Sequence, residues 1–254
     1  MTPASLAGPV PGNRVRVPII CLTPTAAFAI IPRMARLPRI VIPNVPHHVT
    51  QEGVRSMAIF RHDGDRKRYL QFMAEECARF QVEVLAWCLL RDHVHLVGVP
   101  VEETALARAV GNAHRRYTSM RNFDEGVRGY LFQGRFSSCA MDERHLLASL
   151  RYALLEPVVL RQAKRAWEFP WSSAAFAVGR RKKDPLLHGR TLGGRVRDWK
   201  KLLAEEDPET DRNLRLCIRT GRPAGSPEFI VRMEKLTGIR LRKRKPGPKP
   251  KRGR

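Results

Sequence analysis

The sequence predicts an α+β fold, an antiparallel β-sheet covered by helices, and three observations carry that prediction. Residues 82–90 are rich in β-forming side chains and pass through Arg91-Asp92 into a second such stretch, 93–99, which is a hairpin signal. Three further segments repeat apolar residues at helical spacing. The resulting order, strand, helix, hairpin, helix, strand, helix, fits a sheet packed against helices.

Taken along the chain, Ile40, Val41, Ile42, Val45 and Val49 suggest a first strand within 39–51, entered after Pro46. Asp63 or Asp65 then caps a helix running to about Phe80, in which Tyr69, Met73, Cys77 and Phe80 recur at helical spacing. A second helix over 102–121 places Leu106, Val110, Ala113 and Tyr117 on one side, with Arg108, Arg115 and Arg116 largely off it. Residues 129–137 read as a short extended stretch in which Tyr130 packs. A third helix runs from about Asp142, a good cap, to Glu156, where Pro157 should end it. Beyond Ser173 the pattern weakens: residues 180–183 and 189–194 look like linker. Short helices are expected near 208–219 and 227–236, the second started by Ser226-Pro227 and stopped by Gly238.

Charge narrows the class of partner. The 254 residues carry 47 Lys+Arg against 24 Asp+Glu, a formal +23. Eight of the basic residues lie in 241–254 and three in 1–33, where there are no acids, so residues 34–240 alone carry +12. A basic body as well as a basic tail points to a polyanion-binding face, and to nucleic acid ahead of an anionic membrane. Cys21, Cys77, Cys88, Cys139 and Cys217 are odd in number and form no Cys-x-x-Cys, so neither a zinc ribbon nor a disulfide framework is indicated. Cys77 and Cys88 fall in apolar patterns and read as core. The chain reads as reduced and cytoplasmic.

The apolar segment 17–31 loosely resembles a secretory signal but contains Pro18 and Pro24 and is too short to span a membrane. Residues 1–33 are therefore expected to be a disordered extension, with Met34 as an alternative start. Residues 34–178 would form the main domain, 179–240 a small helical C-terminal extension, and 241–254 a disordered basic tail.

Chemistry concentrates in two places. His93 and His95 alternate with Val94 on one strand, so both imidazoles project from the same face as potential nitrogen ligands for a divalent metal. Taken alone, the triplet equally describes two histidines on a solvated sheet face. A histidine-triad hydrolase would need a third His at position 97, which is valine. In the third helix His145, Ser149, Tyr152 and Glu156 form one stripe, with Leu147, Leu150 and Leu154 nearly opposite. Tyr69 and Tyr117 fall on apolar stripes and Tyr130 in the extended stretch, which leaves Tyr152 as the remaining candidate to complete the site. Glu156, one turn on, offers an oxygen ligand; the bland alternative is a packed tyrosine and a solvated helix-end glutamate.

The runs VPHHVTQ, RDHVHLVGVP, FQGRFSS, DERHLLASLRYALLEPV, PWSSA and TGRPAGSPEFI resemble, in this order, the REP-associated tyrosine transposases of the HUH superfamily. The likeness extends over about residues 34–250. It implies a ferredoxin-like, RRM-like sandwich. It also implies that single-stranded, hairpin-forming DNA is cleaved and rejoined through a 5′-phosphotyrosine, with Mg²⁺ or Mn²⁺ as cofactor. Position by position, the metal-binding triplet falls on His93, Val94 and His95, and the nucleophile on Tyr152; Glu156 stands where the family usually has Asn. Arg91-Asp92 replaces the usual Pro-Asn, and Glu52-Gly53-Val54 the usual Arg-Gly-Asn. Arg115, Arg116, Gln133 and Arg135 are expected to contact the DNA strand, the protein acting as monomer or homodimer without a membrane partner. The competing expectation is a non-catalytic DNA-binding descendant, acting as a repressor or decaying.

Overall fold

The computed structural model describes residues 39–187 and 196–242, all within the compact unit Leu37–Arg254. The expectations for 1–33, for the 189–194 linker and for 243–254 of the tail lie outside the described residues. The elements are β1 (His47–Glu52), α1 (Asp63–Arg79), β2 (Val82–Leu89), β3 (His93–Pro100), α2 (Ala105–Asp124), β4 (Ser137–Ala140), α3 (Glu143–Val159), α4 (Ala174–Ala177), α5 (Trp199–Ala204), α6 (Pro208–Thr220) and α7 (Pro227–Thr237). Among the described residues no helix is long and apolar enough to cross a membrane.

The sheet is antiparallel in the order β2-β3-β1-β4, as the α+β reading requires. Register fixes its two faces. Thr50 lies opposite His95 and Glu52 opposite His93, so His48, Thr50 and Glu52 share a face with His93, His95 and Val97. Val49 and Gln51 lie on the other face with Leu96 and Val94. That second face packs on α1 and α2 through Tyr69, Met73, Leu106, Val110 and Tyr117, all nearly inaccessible. The histidine face packs on α3 through Val97, Leu146, Leu150 and Leu154, with Leu202, Leu203 and Leu214 of α5 and α6 closing behind. The described residues therefore form three layers, with α3 buried on most of its circumference.

Several boundaries differ from the sequence reading. The first strand begins only at His47: Ile40 and Ile42 are buried against Phe229 and Met233 of α7 instead. Pro43 and Pro46 deny that stretch two ladder donors, and Asn44 takes a left-handed φ of 60°. His62, not an aspartate, caps α1; Asp65 completes the capping box from the third helical position. The fourth strand is Ser137–Ala140, because positive φ at Gly129 and Gly134 breaks the expected stretch 129–137 into turns. Tyr130 does not pack; it is 90% exposed. Pro157 does not end α3, which runs on to Val159. A proline in the last turn forgoes a single bond, and the helix closes with the Leu160 N–H donating to the Glu156 carbonyl.

Candidate metal and nucleophile site

β3 presents His93 and His95 toward α3, and α3 returns Tyr152 and Glu156 toward them. The Glu156 carboxylate lies 3.8 Å from His93 Nε2 and 3.9 Å from His95 Nε2. One donor atom from each of these three residues falls within 4.8 Å of the others. The Tyr152 ring meets the His95 ring edge-on at 5.5 Å, and its hydroxyl interacts with Glu156 one turn along the helix. All four expected residues thus converge within one chain.

Each imidazole is steered from behind. His93 Nδ1 lies 2.8 Å from Asp92 Oδ1. His95 Nδ1 lies 3.0 Å from Nε2 of His48, whose own Nδ1 lies 2.7 Å from Ser149 Oγ. The tautomers follow from this chain. For both Nε2 atoms to present lone pairs to a cation, each Nδ1 must carry the hydrogen. His93 then donates to Asp92 and His95 to His48 Nε2, which puts the His48 hydrogen on Nδ1, donated to Ser149. The paired histidines gain a fixed orientation, and Asp92 supplies a carboxylate–histidine pair.

Burial and charge sort the titrating groups. His48 is held down at about 3 by complete burial, so it is neutral. His95 is also pulled well below the usual histidine range, by burial and by the two neighbouring imidazoles. Burial pulls His93 the same way, but its bonds to Glu156 and Asp92 outweigh that and raise it. Glu156 stays below the ordinary carboxylate value, because His93, His95 and Tyr152 overcome its desolvation. Tyr152 is pushed up to about 12, by burial first and then by Glu156, with Arg215 opposing.

The side chains fit a divalent cation. His95 Nε2 is buried and has no hydrogen-bond partner among the described residues, an arrangement that ordinarily destabilises a fold unless a ligand completes it. Two imidazole nitrogens and a carboxylate oxygen are a donor set such cations accept. A small cavity of about 180 Å³ opens beside Tyr152 and Glu156 and is bounded by Arg215 of α6. The Arg215 guanidinium lies 5.7 Å over the Tyr152 ring, and among the described residues it has no ion-pair partner. Arg151 in the same wall is held by Asp211 at 2.5 Å.

His48, Ser149 and Arg215 are the residues that sequence reasoning missed in these roles. The expected DNA contacts divide. Arg115 and Arg135 are exposed and line one cavity on the α2 side of the sheet. Arg116 instead pairs with Glu75 and Glu76 of α1 at 2.5 and 2.8 Å. Gln133 uses Oε1 to accept from the Arg55 backbone N–H, bracing the turn after β1.

Residues 45–153 match the family model for IS200-like transposases, a span that includes His93, His95 and Tyr152 and stops short of Glu156. Among solved structures the fold is similar to a REP-associated tyrosine transposase bound to a REP hairpin, with 16% identity and a TM-score of 0.50. That match covers 62% of this chain and 93% of that one. A tRNA(His) guanylyltransferase from Saccharomyces cerevisiae also matches, at 9% identity, a TM-score of 0.36, and 72% and 81% coverage, too distant to inform function. No curated protein matches.

Proposed function

We propose that the protein is a metal-dependent transposase that cleaves and rejoins single-stranded DNA at hairpin-forming repeats through a covalent 5′-phosphotyrosine. One observation carries the proposal: Tyr152, Glu156 and the Nε2 atoms of His93 and His95 converge in one chain, and His95 Nε2 is buried with no hydrogen-bond partner among the described residues. Tyr152 would be the nucleophile; its Oη–P bond forms as the P–O3′ bond breaks, leaving a free 3′-hydroxyl. Because the phosphodiester is exchanged rather than hydrolysed, rejoining needs no nucleotide cofactor.

His93, His95 and Glu156 would hold Mg²⁺ or Mn²⁺, which when bound supplies a Lewis acid to the scissile phosphate. Asp92 and His48 keep the two imidazoles in the tautomer and orientation this requires. Arg215 of α6 would meet phosphate charge beside the tyrosine, which supports the reading of the helical C-terminal region as DNA-contacting. The solved relative bound to a REP hairpin supports DNA as the partner. The domain reading, a catalytic unit over 34–178 with a basic tail adding salt-sensitive affinity, belongs to the same proposal.

Incubation with a labelled hairpin oligonucleotide and Mg²⁺, followed by a denaturing gel, tests this. A covalent adduct that is lost in Tyr152→Phe and in the presence of a chelator is the expected result. An adduct surviving in Tyr152→Phe removes the nucleophile assignment. DNA binding with no adduct under any divalent cation favours a non-catalytic DNA-binding descendant, and cleavage without attached protein favours water as the nucleophile.

A further inference from the structure

A second cavity lies across the sheet from the histidine cluster. It has a volume of about 530 Å³, within the range of small-molecule sites, and lies between α2 and the turns that precede β4. Gln51 lines it, and Gln51 points to the face of β1 opposite His48. Yet both sites are at the same end of the sheet: Glu52, the next residue of β1, pairs with His93, and Phe132 of the cavity wall bridges to Gly53.

The walls combine cations with flat rings. Arg39, Arg115 and Arg135 line the cavity, and no acidic side chain does so among the described residues. Arg115 and Arg135 have no ion-pair partner among the described residues, unlike Arg116 and Arg121, which pair with carboxylates. Arg39 and Arg135 are close enough to repel one another. Their like charges are concentrated with no counter-charge in the cavity wall among the described residues, an arrangement that an external anion relieves. The Arg39 guanidinium lies 3.5 Å over the Phe136 ring, and His114 stacks on Phe132 at 4.0 Å, so the interior is a pile of planar groups. Tyr130, 90% exposed at the rim, leaves its ring face to solvent.

Gln51 adds a polar anchor. Its side-chain nitrogen donates to the carbonyls of Glu52 at 3.0 Å and Gln133 at 3.4 Å, which fixes the unpaired atom as oxygen, a buried acceptor lacking a donor.

We infer that this cavity is a second DNA site, which takes one unpaired nucleotide of the single-stranded segment flanking the hairpin: its base lies against Tyr130 and Phe132, and its phosphates lie on Arg115 and Arg135. Stacking on aromatic rings between cations is how proteins hold single strands with little dependence on base identity. A strand leaving the metal cluster reaches the cavity by crossing the end of the sheet at Glu52 and Gly53, where the backbone N–H of Gln133 donates to Glu52. The inference rests on the reading of the protein as a DNA transposase, but on binding and not on cleavage.

The test uses full-length protein carrying Tyr152→Phe, so that no cleavage intervenes, and hairpins with 2-aminopurine at successive flank positions. One flank position is expected to lose fluorescence on binding, and Tyr130→Ala is expected to restore it. Arg115→Ala with Arg135→Ala should weaken the flanked hairpin about tenfold or more while weakening a blunt hairpin much less. All three side chains are exposed, so folding is preserved. No quenched position, quenching indifferent to Tyr130→Ala, or equal loss on flanked and blunt hairpins overturns the inference. Failure of adduct formation in the native protein, with quenching intact, would instead count against the cleavage reading alone.

Discussion

Removing the His48 imidazole should loosen the cation site without touching any of its proposed ligands. His48 is fully buried and makes two side-chain bonds, 3.0 Å to His95 Nδ1 and 2.7 Å to Ser149 Oγ. In His48→Ala both partners lose them inside the protein, at about 1–3 kcal/mol for each group left unsatisfied. The folded fraction that remains carries a His95 free to rotate or to adopt the other tautomer. Loss of such an outer partner typically weakens metal binding about 10–100-fold, or about 1.4–2.7 kcal/mol. Two conservative variants separate positioning from packing. In His48→Gln the amide oxygen stands where Nε2 was, so the His95 contact and most of the affinity return. In His48→Asn the amide stands where Nδ1 was, so only the Ser149 contact returns and the affinity stays low. Mn²⁺ titration by calorimetry or electron paramagnetic resonance reads this out. A folded His48→Ala protein with native Mn²⁺ affinity, or equal behaviour of the Gln and Asn variants, refutes the reasoning.

Glu156→Gln should weaken Mn²⁺ binding and also lower the Tyr152 titration from about 12, since the carboxylate is one cause of its elevation; ultraviolet difference absorbance of the phenol reports the shift. Metal binding should also weaken as pH falls through the histidine range, because His93 is raised and must lose its proton to bind, and competition titrations at several pH values show it. The fold itself should be acid-labile. His47 and His114 are buried neutral, at about 4 and about 3 against an ordinary 6.5, so only the unfolded chain takes up these protons just below 6.5. Their contribution is complete above about pH 6.5 and is lost at about 1.4 kcal/mol per pH unit for each as pH drops toward 4. Thermal melts followed by circular dichroism should show Tm falling from pH 7 to 5, and an unchanged Tm contradicts this. Arg121→Met should destabilise by about 3–5 kcal/mol in urea melts. Arg121 is almost wholly buried, and its loss leaves the equally buried Asp65 carboxylate, 2.9 Å away, with backbone donors but without the guanidinium that pairs with it.

The elements that bear the site were legible because their periodicities are local. Residues two apart on a strand share a face, and residues four apart share a helix face, so His93 with His95 and Tyr152 with Glu156 could be paired from the sequence. His48 could not, since its role depends on which residue of β1 lies opposite which residue of β3. That register is set by the whole sheet. The polar alternation of His48, Thr50 and Glu52 was the available signal, blurred by His47 immediately before it. Arg115 and Arg116 make the same point on a helix: one step of about 100° decides which of them meets the α1 carboxylates, and sequence carries no record of where α1 packs. Pro157 misled for a different reason, because a helix tolerates one missing donor in its last turn when the following N–H groups still find acceptors.

Tyr152 and Glu156 are one turn apart on α3, so the proposed nucleophile and the proposed oxygen donor of the cluster move as a single lever. A displacement of α3 that carries the phenol away from β3 also removes the carboxylate and leaves two imidazoles to hold a cation alone. A DNA end joined to Tyr152 would then ride on the same arm, and re-ligation would wait until the arm returns and rebuilds the cation site. On the proposed mechanism the covalent intermediate would be protected by geometry, since the part that would hold the DNA end would also be part of what makes the bond reactive.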